Sequence, residues 1–219
     1  MAASAIAAAT SLLASIKNAG IAAEVVSSCE SALKRAGAES NVNSALAFVG
    51  RIYEMVGATM LNQGRCEDAV PILDNAIKIF KKVQDPRASK CAAYSAKAIA
   101  MICRKAAPTG SASTSLVQKL EQICSILAED NADASYQIDL ANSYALMGLN
   151  LTGVVADARS CLHKAASLYL AAPASSSRQT ATMIESVAHA FAVSGDLHMQ
   201  VWRLGASFVS IILPHIMVL

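Results

Sequence analysis

Aromatic residues make up only 5% of this 219-residue chain, and five prolines and ten glycines are all that punctuate it. So few aromatics and breakers leave little to build a sheet from. What remains is 54% hydrophobic, with Ala the commonest residue, as in 2–9 and 171–174. Ala is the best helix former and lets helices approach closely, so the expectation is an all-α chain. Paired cysteines are missing too. Cys29, Cys66, Cys91, Cys103, Cys124 and Cys161 are widely spread with no C-x-x-C, which favours free buried thiols in a reducing compartment over a disulfide framework.

Targeting and membrane signals are equally sparse. The apolar N-terminal stretch has no basic n-region, is broken by Ser4, Thr10 and Ser11, and carries Lys17 as its only base, so the expected location is cytoplasmic. The most apolar run, 206–219, contains Pro214 and His215 and falls short of the roughly 20 residues that span a bilayer. It is expected to be a last helix whose packing partner comes from another chain or from the rest of a longer protein. Peripheral contact with membranes is compatible with that arrangement.

No catalytic constellation stands out. His163, His189, His198 and His215 are too scattered for a metal-binding H-E-x-x-H site, and no phosphate-cradling glycine loop is present. Ser31 and Lys34 form an S-x-x-K string that lacks the other elements of such an active site. The expectation is therefore a chain that is not an enzyme and needs neither metal nor cofactor. Met55, Met60 and Met101 sit at helical spacing among Val and Ile and read as core filling.

What the chain does have is a repeat. Gly20, Gly64, Gly110, Gly148 and Gly195 each sit in a short polar or small-residue break between apolar-periodic segments, at spacings of 44, 46, 38 and 47 residues by subtraction. That period suits a long-armed helical hairpin, so residues 1–219 are expected to form one domain of about five hairpins. The clearest hairpin is 49–86. Val49, Ile52, Tyr53, Val56 and Met60 line one helix face, and Ala69, Val70, Leu73, Ala76, Ile77 and Phe80 line the next. Glu67 and Asp68 favour the second helix's N-terminus, Lys78, Lys81 and Lys82 its C-terminal end, and Pro71 is tolerable because it lies early. The grammar returns at Leu140, Ala141, Tyr144 and Gly148 with Ala158, Leu162, Ala165 and Ala166. It returns again at Val187, Ala188, Phe191 and Gly195 with Val201, Leu204 and Phe208.

Tyr53, Gly57, Gly64, Ala69, Ala76 and Pro86 together resemble the tetratricopeptide repeat, although the spacing exceeds that family's 34 residues. Within that superfamily, Tyr53, Glu54, Gly57, Glu67, Ala69, Val70, Ala76, Phe80 and Pro86 are similar to the gamma branch of the soluble NSF attachment proteins. The resemblance implies a right-handed α-solenoid of about five antiparallel hairpins. It also implies an adaptor that docks on SNARE bundles in vesicle trafficking, with lysines meeting an acidic helical surface. A structural subunit of a large assembly, or the helical-repeat part of a longer protein, is the other expectation.

Charge supplies the candidate surface. A net charge of +2 is too small for nucleic acid to be the default partner. Yet nine of the eighteen Lys and Arg residues lie between Lys78 and Lys119, with only Asp85 opposing them. Lys78, Lys81, Lys82, Arg87, Lys90, Lys97, Arg104 and Lys105 are expected to form a basic stripe across adjacent hairpins, suited to an acidic protein partner.

Overall fold

A computed structural model describes residues 2–17, 19–105, 111–129, 134–150, 155–171, 182–187 and 189–190. Among these lie helices α1 (Ala2–Lys17), α2 (Ala23–Ala38), α3 (Val42–Asn62), α4 (Cys66–Lys82), α5 (Arg87–Lys105), α6 (Ser111–Glu129), α7 (Ala134–Asn150) and α8 (Val155–Ala171). Residues 182–187 are helical as well, and the described residues contain no strand, so the all-α expectation holds. The chain divides into two compact units: Met1–Ile102 with Ser125–Asn131, and Cys103–Cys124 with Ala132–Leu219.

In the first unit α3 is the central helix, packing against α1, α2 and α4. The face read from periodicity is the one it buries: Val49, Ile52 and Val56 are fully enclosed, and Tyr53 and Met60 nearly so. On α4 the six expected residues from Ala69 to Phe80 are all buried. Each large side chain removed from water in this way contributes roughly 1.5–3 kcal/mol before the entropy of ordering is subtracted. Small residues let the two helices close. A Cβ added at Gly57 would lie 2.7 Å from Leu73, and one at Gly50 would lie 2.7 Å from the Phe80 ring.

The turns account for the backbone groups that helix ends leave unpaired. After α3, Gly64 takes φ +74°. Its N–H donates to the Leu61 carbonyl at 2.9 Å, and the Arg65 N–H donates to Met60 at 2.9 Å, the two bonds of a Schellman cap. After α4 the same cap recurs with a non-glycine residue: Gln84 adopts φ 55° and donates to Lys81 at 3.2 Å, while Asp85 donates to Phe80 at 2.9 Å. At the start of α3, the Asn41 carboxamide oxygen accepts from the Asn43 and Ser44 N–H groups at 2.9 and 3.3 Å. Such an N-cap stabilises a helix by about 1 kcal/mol. Pro71 is the sixth residue of α4, so its missing N–H costs the bond that the Glu67 carbonyl would otherwise accept.

Neighbouring hairpins also meet at their turns. Arg65 donates to the Ala19 carbonyl at 3.2 Å while also binding Asp68, and the Gln63 carboxamide reaches the Gly20 carbonyl at 3.5 Å. The α3–α4 turn therefore sits beside the α1–α2 turn, and α1 lies against α3, first helix on first helix.

In the second unit α7 packs on α8. Leu140, Ala141 and Tyr144 of α7, and Leu162, Ala165 and Ala166 of α8, are buried as their periodicity requires, whereas Ala158 is only half-buried and Cys161 is enclosed beside them. Gly148 departs from its expected place in a break. It lies in the last turn of α7, which continues to Asn150, and there it faces α8. A Cβ added to it would meet Leu162 at 2.7 Å and the Ala158 carbonyl at 3.0 Å. It is a packing glycine, and the chain reverses after it. Gly110, Gly195 and the segment 206–219 lie outside the described residues.

Candidate partner-binding surface

Helix α5 carries most of the candidate site, and its sequence leaves one narrow way out to solvent. Between Arg87 and Met101 every residue is buried except Arg87, Lys90, Tyr94, Lys97 and Met101. Their spacing of three and four traces a single seam along a helix, since residues so spaced lie one above another on the same face. The rest of this stretch is Ala, Cys, Ser and Ile, small or apolar residues that permit close packing on every other side. The exposed face of α5 in the first unit is thus basic, with Tyr94 between the charges and Met101 one turn beyond the last of them.

Two of these cations are engaged internally. Arg87 grips Asp85 through Nε at 3.0 Å and Nη2 at 2.6 Å, and its guanidinium lies 4.8 Å from the centre of the Phe80 ring. Hydrogen bonding from Arg87 holds the Asp85 carboxyl below the ordinary carboxylate value and raises the guanidinium in turn. Lys90 places its Nζ 2.8 Å from Glu54 on α3 and 5.6 Å from the centre of the Tyr94 ring. Glu54 is buried, at 9% exposure. A buried carboxylate without a counter-ion is strongly destabilising, so Lys90 is held by the fold as well as displayed by it.

Lys78, Lys81 and Lys82 are exposed at the C-terminal end of α4. Lys78 and Lys82, one turn apart, line a groove of about 430 Å³ whose walls include Ala5 and Ala8 of α1, Leu46 and Tyr53 of α3, and Ile79 of α4. Lys78 and Lys97 make no hydrogen bond or ion pair among the described residues. The groove and the seam both belong to the first unit. Arg104 and Lys105, the last two residues of the expected stripe, are exposed and fall in the second unit.

Sequence reasoning named the eight cations but passed over what lies among them. Met101, expected as core filling, is only half-buried on the seam, whereas Met60 is buried as expected. The three-and-four spacing of 87, 90, 94, 97 and 101 was the available signal. Other chemistry is thin. All six cysteines are free, and all but Cys124 are buried. Burial pushes the Cys29 and Cys103 thiols up to about 11 and Cys91 up to about 12, so these thiols stay protonated and unreactive. Among the described residues no group of three or more His, Cys, Asp or Glu is gathered as for a metal ion. No described helix is long and apolar enough to cross a membrane.

No family model, curated protein or solved structure matches this chain. The reading of its function therefore rests on the residues and geometry above.

Proposed function

We propose that this chain is a protein-binding scaffold without catalytic activity, a right-handed α-solenoid of about five tetratricopeptide-like hairpins that docks on an acidic helical surface of another protein. Its most specific form is an adaptor for a SNARE bundle in vesicle trafficking. The observation that carries the reading is the seam of α5: a helix enclosed on its other sides presents a file of cations with Tyr94 among them and Met101 at the end of the file. Fixed charges in a row attract an acidic surface and speed its docking, while an aromatic and a thioether side chain supply apolar contact area. The stacking of α1 on α3, the pairing of the two turns through Arg65 and Gln63, and the Lys90–Glu54 link from α5 to α3 support a repeating array.

The test is a pulldown with an assembled SNARE bundle, using the chain in which Lys78, Lys81, Lys82 and Lys97 are changed to Glu. Lys90 is left in place because its loss would strand Glu54. Binding is expected to fall at least about tenfold on charge reversal, and wild-type binding to weaken as salt rises. Undiminished binding by the reversed chain would overturn the reading.

A further inference from the structure

A second charged groove lies between α2 and α3, built from residues outside the basic stripe. Its volume is about 320 Å³. From α2 it is lined by Ser27, Ser31 and Arg35, which follow one another at four-residue intervals and so share one face of that helix. From α3 come Phe48, Arg51 and Met55, again spaced by three and four. Both arginines are exposed, and neither makes a hydrogen bond or ion pair among the described residues. Arg51 does act electrostatically on Asp85, but that carboxylate is already held by two bonds from Arg87. The neighbouring Ser28 hydroxyl donates to the Glu24 carbonyl of its own helix, whereas no such bond occupies Ser27 or Ser31.

Two guanidinium groups and two hydroxyls thus line one groove, and among the described residues no carboxylate forms a hydrogen bond or ion pair with either guanidinium. A guanidinium presents five N–H donors in a planar fork, and two of them exceed what a single carboxylate can accept. A phosphate monoester matches better, with a charge near −2 and three strong acceptor oxygens. Phe48 and Met55 add an apolar edge beside the charges, suited to the side chain that follows a phosphorylated residue. A flat bilayer surface has no such segment to insert between two helices.

We infer that the α2–α3 groove is a phosphomonoester site that takes a phosphorylated side chain of a partner polypeptide, with Arg35 and Arg51 as its anion clamp. The site does not depend on the lysine seam.

The experiment is isothermal titration of the full chain with a short peptide carrying phosphoserine followed by leucine, alongside the same peptide with serine and with glutamate. The phosphopeptide is expected to bind at least tenfold more tightly than either control. Arg35→Ala and Arg51→Ala should each weaken it about tenfold, Ser31→Ala two- to threefold, and the double arginine variant should abolish it. The variants should melt with the wild type, since the altered side chains are exposed. Changing Lys78, Lys81, Lys82 and Lys97 to Glu should leave the phosphopeptide affinity within about twofold, which separates this site from the docking seam. Three results would overturn the inference: no discrimination between phosphoserine and glutamate, phosphopeptide binding indifferent to both arginines, or arginine-dependent binding to phosphatidic acid vesicles with none to the peptide.

Discussion

In α3–α4 a glycine, Gly57, faces Leu73; in α7–α8 another, Gly148, faces Leu162, and in both an added Cβ would meet the leucine at 2.7 Å. Seven residues back along the first helix and seven forward along the second, the first hairpin sets Gly50 against Phe80, and the corresponding positions of the other are Ala141 and Tyr169. Tyr53 and Tyr144 also correspond. The two hairpins, one in each unit, are thus variants of one packing scheme. They differ in how polar atoms are handled: the Tyr169 hydroxyl donates to Asn142 at 2.6 Å where Phe80 has nothing to satisfy, and the Tyr144 hydroxyl is buried without a partner among the described residues. A shared steric scheme tolerates exchange of Phe and Tyr as long as each new hydroxyl is either bonded or accepted as a loss.

The comparison is tested hardest by deleting the paired leucines. Leu73→Ala and Leu162→Ala should each destabilise their hairpin by about 3 kcal/mol, seen as lower urea midpoints by circular dichroism. A large loss at one and almost none at the other would break the equivalence. Next in size are the glycines. Gly148→Ala should lower stability by about 2 kcal/mol, because the Ala158 carbonyl 3.0 Å away is backbone and cannot swing aside. Gly57→Ala should cost about 1 kcal/mol, since only the Leu73 side chain must shift and Ala gains in helix propensity. The turns offer a gain: Gln84→Gly should stabilise by about 1 kcal/mol by removing a left-handed non-glycine residue, and Gly64→Ala should lose about as much. Tyr169→Phe should cost about 1 kcal/mol through its lost bond, whereas Tyr144→Phe should be neutral or slightly stabilising.

The two units also bear on pH dependence. The Cys29 and Cys91 thiols of the first unit are raised from 9.0 to about 11 and about 12 by burial. Above pH 9 the unfolded chain releases protons that the folded chain keeps. Stability from these groups is therefore full below pH 9 and is lost as pH rises through the folded values. Urea midpoints should decline from pH 9 upward, and Cys91→Ser should flatten that decline. At neutral pH, Cys124 of the second unit, the half-exposed thiol, should react first with a disulfide reagent.

Much of the fold was legible because helix periodicity is local. Val49 to Met60 and Ala69 to Phe80 announced their buried faces through spacing alone, and Gly64 announced a turn that takes positive φ. Gly148 misled because a glycine near a helix end reads as a turn whether it reverses the chain or admits a leucine from the next helix. Of the candidate surface, the cations were visible and their commitments were not. Glu54 and Lys90 lie 36 residues apart by subtraction, and only the folding of the chain brings them to 2.8 Å. Arg35 and Arg51 gave no signal either, because a groove shared by two helices has no single-helix pattern.

The sequence by itself therefore determined that the chain is helical, which side of α3, α4, α7 and α8 turns inward, and where its positive charge accumulates, all of them consequences of composition and short-range spacing. Tertiary structure decided which glycines turn and which pack, which cations are tied to carboxylates, and which lysines and arginines line grooves. Those choices depend on neighbours distant in the chain, whose side chains meet only after the helices have closed on one another.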